Sequence, residues 1–429
     1  MNSSEKIYQA FKSNAKISTD TRQDVKETLF FALSGENFNG NKFAGEAIKN
    51  GASYAIIDDV AYKENNKFIL VDNTLLALQQ LAIEYRKSLK ASILGITGSN
   101  GKTTTKELIS AVLSSEKKIV STKGNFNNHI GVPLSILNIK QDTEIAIIEM
   151  GANHIGEIKR LCEIAMPNVG IITNIGKAHL EGFGSLEGVI TAKNELYQAI
   201  KFTKGELILN ADNDLLTKLA NGIKSFSYGN SNTDVNGRII QTNPTLVIEW
   251  EWNSKKYLIK SNLYGSYNFP NIMAAIASGL YFDINPVKIC RSIENYKPDN
   301  NRSQQVKTKH NKLILDAYNA NPVSMNNAIR SFNDFASRSP VLILGDMFEL
   351  GESSGEEHQK IIELLKSVGF ENVYLVGDEF YNLRKTNSFT SFATTKELKF
   401  YLTKNLLDNK TILIKGSRGM KLESLLDIL

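Results

Sequence analysis

The stretch Ile93-Leu94-Gly95-Ile96-Thr97-Gly98-Ser99-Asn100-Gly101-Lys102-Thr103-Thr104-Thr105 decides how this chain is read. An apolar, β-favouring run ends in two glycines that bracket Ser99 and Asn100, and a lysine with three threonines follows. Leu108, Ile109, Val112 and Leu113 then recur at helical spacing. Strand, glycine turn and helix in that order predict a phosphate-binding loop. The glycines allow left-handed backbone angles that turn N–H groups toward phosphate oxygens, and the helix adds its positive N-terminal pole. Lys102 would reach the β- and γ-phosphates, and the Thr103 hydroxyl would meet Mg²⁺. The general pattern G-x-x-x-x-G-K-[ST] wants a glycine where Ile96 stands. The competing reading is therefore a tight strand-to-helix turn with a surface lysine.

Working outward, 429 residues at roughly 150 per domain imply about three domains, each long enough for its own core. Hydrophobic residues at 42% and charged residues at 22% are ordinary for a soluble globular chain. The net charge of +5 is spread among interspersed lysines, arginines and carboxylates, which argues against a nucleic-acid footprint. Cys162 and Cys290 stand far apart in helix-like segments and read as core residues, not as a disulfide framework or zinc site. No apolar run approaches the roughly 18 residues of a membrane span, and the N-terminus has no signal-like core, so a cytoplasmic protein is expected.

The patterning predicts an α/β fold in three domains. Residues 1–88 alternate short strands and helices, and between the first helix and strand lies Ser18-Thr19-Asp20-Thr21-Arg22. This loop fits either a polar ligand, with the guanidinium suited to phosphate, or a capped turn. Residues 89–298 form a central, mostly parallel sheet. There Ile145 to Ile148 runs into Glu149, and Val169 to Ile175 runs into Gly176-Lys177-Ala178-His179. Glu149 and His179 thus sit at the carboxyl ends of buried strands, the edge where open α/β sheets bind ligands. A helix from Leu186 to Ile200 carries Lys193, which by periodicity alone is an ordinary helical lysine. An antiparallel pair is expected over 245–252 and 256–263, and Gly265-Ser266-Tyr267-Asn268-Phe269-Pro270-Asn271 opens another apolar helix.

Residues 299–429 form a second, Rossmann-like alternating unit without a dinucleotide fingerprint, so NAD is not implied. Polar groups again collect at strand ends: Asp316-Ala317-Tyr318-Asn319-Ala320-Asn321-Pro322, Gly345-Asp346-Met347 and Lys415-Gly416-Ser417-Arg418-Gly419. A final helix is expected over 420–428. The last cluster would be either an anion site at its N-terminus or a basic capping turn.

Taken together these motifs resemble the Mur ligase family, the ATP-dependent amide-forming enzymes of bacterial cell-wall synthesis. Thr97 to Thr104 resembles that family's own nucleotide loop, which accounts for the glycine absent at Ile96. Gly124-Asn125-Phe126-Asn127-Asn128-His129, Glu149-Met150-Gly151-Ala152, Ala178-His179-Leu180-Glu181-Gly182, Asp316 to Pro322 and Gly345-Asp346-Met347 are similar to the branch that uses D-alanyl-D-alanine.

The resemblance implies ATP and Mg²⁺ as cofactors, and UDP-N-acetylmuramoyl-tripeptide and D-alanyl-D-alanine as substrates. It implies that Gly98, Ser99, Asn100, Gly101, Lys102, Thr103 and Thr104 bind phosphate. Thr103, Glu149, His179 and Lys193 would hold metal, Lys193 as a carbamate. Lys102, Glu149, His179 and Lys193 would together make the catalytic set. Asn268 and Asn271 would lie near the base, with Arg302 and Asp316 reaching ATP. Thr19, Asp20, Thr21 and Arg22 would meet the UDP substrate, along with Asn125 and Asn128. Tyr318, Asn319 and Asn321 would lie near the dipeptide, and the enzyme would act as a monomer. Thr21 stands where the family more often has serine, and Asn41-Lys42-Phe43 where it has His-x-Phe. A diamino-acid-adding relative would show Asp-Asn-Pro-Arg where this chain has Asp316 to Asn319. A folylpolyglutamate synthetase would show Gly-Lys-Gly-Ser at Gly101 to Thr104. A nucleotide switch would hydrolyse ATP regardless of peptide.

Overall fold

The computed structural model describes residues 2–13, 16–243, 245–335 and 340–429. The chain forms two compact units: residues 1–95 with 118–152 and 156–169, and residues 96–117 with 153–155 and 170–429.

The first unit begins with a helix, Ser3–Lys12, closed by a capping box: Glu5 N–H donates to Asn2 Oδ1 (2.8 Å) and Asn2 N–H to a Glu5 carboxylate oxygen (3.0 Å). A four-stranded parallel sheet follows in the order Lys16–Ser18, Thr28–Phe31, Tyr54–Ile57, Phe68–Leu70. Phe30, Ala32, Ala44, Ala55, Ile57 and Phe68 build one of its cores. The three-residue strand Lys16–Ser18, too short to carry a period, was not expected and delivers the chain to Thr19–Arg22. Also in this unit, Ile119–Ser121 runs parallel to Ile145–Glu149. Helix Thr74–Ser88 buries Arg86, whose guanidinium donates to Ala165 O (2.9 Å) and Met166 O (3.2 Å). Those carbonyls belong to the end of helix Glu157–Ala165, where orphan acceptors need donors.

In the second unit the phosphate loop leads into helix Lys102–Leu113, whose Leu108, Ile109, Val112 and Leu113 are fully buried. Helix Phe269–Tyr281 packs on it and is apolar nearly all round, as burial requires. Strands Glu206–Asn210, Lys224–Gly229 and Val235–Gln241 pair in parallel, and Leu246–Trp252 and Lys255–Ser261 continue the sheet antiparallel. The expected pair appears. The strands over 206–241 went unread because polar residues such as Ser225, Ser227 and Asn236 break their patterning.

The C-terminal sheet has the order Gln304–Lys307, Lys312–Asp316, Thr411–Lys415, Pro340–Gly345, Val373–Val376, Thr390–Phe392, with only the first strand antiparallel. The helix expected over 420–428 is instead two short 3-10 turns, Arg418–Met420 and Leu422–Leu425. Lys421 at φ 53° interrupts the helix, and Leu422 and Leu425, three apart, share a buried face of the tighter turn. The helix N-terminus expected beside Arg418 is therefore absent. No helix of the described residues is long and apolar enough to cross a membrane.

Candidate functional site

Gly98 (φ 144°) and Gly101 (φ 79°) turn the backbone out of strand Ser92–Thr97 and into helix Lys102–Leu113. Both sites are closed to side chains. A Cβ at Gly98 would strike Thr173 Oγ1, and one at Gly101 would lie 2.5 Å from Asn271 Oδ1. The end of the neighbouring strand holds the loop. Thr173 Oγ1 donates to Asn100 O (2.6 Å), Asn174 Nδ2 donates to the same carbonyl (3.0 Å), and Asn174 Oδ1 accepts from Asn100 N–H (3.0 Å). Ser99 N–H donates to Asn174 O (2.9 Å), and Ser99 Oγ exchanges hydrogen bonds with Gly176. Lys102 lies back over the loop, its ammonium donating to Gly98 O (2.6 Å) and Ser99 O (3.3 Å). Asn100 Nδ2 is buried with no partner among the described residues, a donor that a phosphate oxygen would satisfy. Thr103 and Thr104 are buried in the first helical turn.

Two of the residues expected at a metal meet around Phe183. His179 packs edge-on to its ring, 6.4 Å between centroids, and Lys193 Nζ lies 5.1 Å above it. Lys193 is only 1% exposed in helix Leu186–Phe202. His179 adopts a left-handed conformation and pairs through Nδ1 with Glu349 Oε2 at 2.5 Å. That hydrogen bond holds the Glu349 carboxyl below its ordinary value against the opposing effect of burial. Nδ1 faces that carboxylate, which leaves Nε2 as the ring nitrogen free to face a metal, the usual arrangement of a metal-binding imidazole. On these counts the Thr103, His179 and Lys193 positions fit Mg²⁺. Among the described residues no three His, Cys, Asp or Glu side chains gather to hold a metal.

The expected nucleotide residues from the later chain form one network with the loop. Thr105 Oγ1 donates to Asn271 Oδ1 (3.1 Å), Asn271 Nδ2 to Asn268 Oδ1 (2.9 Å), and Asn268 Nδ2 to Ser303 Oγ (3.2 Å). Ser303 N–H reaches Asp316 Oδ1 (3.3 Å), and Asp316 pairs with the buried Lys415 at 2.6 Å. Arg302 stacks on Tyr318, its Cζ 3.8 Å from the ring centroid. Asn321 Nδ2 donates to Asn100 Oδ1 (2.7 Å), joining the Asp316 to Pro322 segment directly to the phosphate loop. Asn319 is exposed, its Oδ1 accepting from Ala320 N–H (2.9 Å).

In the first unit Glu149 is 1% exposed at the end of its strand. Its N–H donates to Thr122 Oγ1 (3.0 Å), and Asn127 Nδ2 donates to its Oε1 (2.8 Å). Asn128 Oδ1 accepts from Gly131 N–H (2.9 Å) at the start of helix Gly131–Leu137, so its carbonyl has a capping duty; Asn125 is exposed. The Asp20 carboxylate accepts two hydrogen bonds from the Arg22 guanidinium (2.8 and 2.9 Å) and one from its N–H (3.0 Å), which hold the Asp20 carboxyl near 2, while Thr19 and Thr21 are half-buried. The sequence had not singled out Thr173, Asn174, Asn127, Ser303 or Glu349. Their importance lies in what they touch, and no spacing announces it.

A family profile described as "Mur ligase middle domain" matches residues 96–279, and one described as "Mur ligase, glutamate ligase domain" matches residues 301–418. A Bacillus subtilis protein named UDP-N-acetylmuramoyl-tripeptide--D-alanyl-D-alanine ligase is 35% identical over 95% of this chain and 92% of its own. The Escherichia coli protein of the same name is 32% identical with the same two coverages. Among solved structures, MurF from Acinetobacter baumannii has a TM-score of 0.87 at 29% identity, covering 96% of this chain and 92% of that one. MurF ligase from Thermotoga maritima in complex with ADP has 0.86 at 26% identity, covering 96% of each.

Proposed function

The chain belongs to the Mur ligase family, and on that premise we propose that it joins D-alanyl-D-alanine to UDP-N-acetylmuramoyl-tripeptide with ATP, in cytoplasmic peptidoglycan precursor synthesis. The observation that carries the chemistry is the Asn321–Asn100 hydrogen bond, which puts the segment assigned to the dipeptide in contact with the loop assigned to ATP.

A carboxylate does not condense with an amine until it is activated. The γ-phosphate passes to the terminal carboxylate of the tripeptide, giving an acyl phosphate and ADP. The dipeptide amine then attacks the acyl carbon, the C–O bond to phosphate breaks, and the amine's proton leaves with solvent or phosphate. Phosphoryl transfer requires positioning and neutralisation of spreading negative charge more than a protein nucleophile. The N–H groups from Gly98 to Thr104 enclose the phosphates, and Lys102 exchanges its carbonyl partners for phosphate oxygens. Asn268 and Asn271 border the base, Arg302 and Asp316 take the nucleotide from the C-terminal side, and Tyr318, Asn319 and Asn321 border the dipeptide. In the first unit Thr19, Asp20, Thr21 and Arg22 take the UDP group, with Asn125 and Asn128 on the substrate. Thr103, His179 and Lys193 as a carbamate would hold Mg²⁺, which would neutralise phosphate charge there; Glu149 would join them by family resemblance and by its burial at a strand end. The enzyme acts as a monomer.

The test is phosphate release from ATP with Mg²⁺, measured with the UDP-tripeptide and D-alanyl-D-alanine added singly and together, with mass spectrometry of the product. Release that needs both and yields the UDP-pentapeptide is the expected result. Release indifferent to both refutes it.

A further inference from the structure

Two guanidinium groups share one ring at the carboxyl edge of the C-terminal sheet. Arg302 Cζ lies 3.8 Å from the Tyr318 centroid and Arg418 Cζ lies 5.0 Å from it. Like charges gathered on one ring repel unless an anion joins them. Asp316, two residues before Tyr318, does not serve, because it is already held by Lys415 at 2.6 Å and by Ser303 N–H. Among the described residues Arg418, which is exposed, forms no ion pair, and Arg302 Nε is buried without a hydrogen-bond partner.

The turn that presents Arg418 is rigid. Ser417 is 2% exposed, donates its N–H to Asp346 O (3.1 Å), and accepts through Oγ from Phe348 N–H (2.9 Å). Thr395 Oγ1 fastens the far end by donating to Met420 O (2.6 Å). Strand Thr411–Lys415 comes last in the chain yet lies between Lys312–Asp316 and Pro340–Gly345. The strand order thus switches beside Tyr318 and Arg418, and the crevice at such a switch is where open α/β sheets take ligands.

We propose that Arg418, backed by the Tyr318 ring, binds the terminal carboxylate of D-alanyl-D-alanine and so aims the dipeptide's amine. The proposal rests on the ligase reading above. The two arginines divide the anions of that reaction. Arg302 adjoins Ser303 and, through it, Asn268 and the nucleotide network. Arg418 belongs to a separate strand end and reaches that network only across Tyr318. The dipeptide has one carboxylate and one amine, and holding the first leaves the second to react. A guanidinium stacked on an aromatic ring offers a planar fork matched to a carboxylate, which a lysine cannot reproduce. Asn321, three residues beyond Tyr318, fixes the same segment to the phosphate loop.

The experiment compares D-alanyl-D-alanine with its C-terminal amide as acceptors for wild-type, Arg418→Gln and Arg418→Lys proteins. ADP affinity and thermal midpoint serve as controls. Wild type should prefer the acid by about 10- to 100-fold in kcat/KM, the range for a hydrogen-bonded charge pair. Arg418→Gln should raise KM for the dipeptide and lose that preference, while KM for ATP stays in place. Arg418→Lys should recover part of the preference. An acid-to-amide ratio unchanged in Arg418→Gln, or a rise confined to KM for ATP, overturns the assignment. A wild-type protein that forms no UDP-pentapeptide at all overturns the ligase reading itself.

Discussion

Replacing Asn174 by alanine tests whether the phosphate loop is held ready by the strand end beside it. The side chain makes two hydrogen bonds to Asn100, accepting its N–H at 3.0 Å and donating to its carbonyl at 3.0 Å. Each such bond contributes about 0.5–1.5 kcal/mol net, so their removal withdraws about 1–3 kcal/mol of loop order. The Thr173 hydroxyl on Asn100 O and the Ser99 N–H on Asn174 O remain, which keeps the loss within that range and leaves the fold intact. Order lost before binding must be restored on binding, so affinity for ADP should fall by about 5- to 150-fold. Titration calorimetry with ADP and Mg²⁺ reads this directly, and an unchanged thermal midpoint separates it from unfolding. Asn174→Asp should bind more weakly still, because it keeps the acceptor but sets a carboxylate oxygen against Asn100 O beside the phosphates. An alanine variant that binds ADP within about twofold of wild type would refute preorganisation by this contact.

Three further outcomes are expected. Lys102→Ala should remove ATP turnover altogether, checked by phosphate release, and retained turnover would mean that the loop has been misassigned. Lys193→Ala should abolish ligation while circular dichroism stays native, with partial recovery in a small carboxylate such as acetate; a fully active variant would remove the carbamate. In the first unit, burial acts to raise the Asp58 carboxyl, but hydrogen bonds from Asn41 (2.8 Å) and Thr74 (2.9 and 3.1 Å) outweigh it and hold it below 3.8. A depressed carboxylate stabilises the fold above its unfolded value and loses that contribution as pH falls through the lower folded one. Asp58→Asn should therefore cost about 1–2 kcal/mol near pH 7 and progressively less as pH falls below 3.8, and denaturant unfolding across that range showing a constant cost would refute it.

The sequence by itself determined the local chemistry: a strand turning through Gly98 and Gly101 into a helix with Lys102 and Thr103 at its mouth, and alternating elements that required parallel sheets. These were legible because glycine angles, helical spacing and strand runs are short-range properties of the chain. The motifs at Glu149 and Asp316 to Pro322 were legible as strand ends for the same reason, whereas the strand expected to run to Ile175 stops at Ile172 and His179 lies beyond it, at the start of the short helix Leu180–Phe183. The tertiary structure alone decided which groups meet. Asn174 and Thr173 seize the backbone of Asn100 from some seventy residues away, Glu349 turns the His179 ring, and Lys415 neutralises Asp316. It also decided against the final helix, since burial of Leu422 and Leu425 on one face and the left-handed turn at Lys421 favour two 3-10 turns. Contacts of this kind depend on chain segments brought together by burying distant apolar faces, and a residue's type and near neighbours do not encode its distant partner.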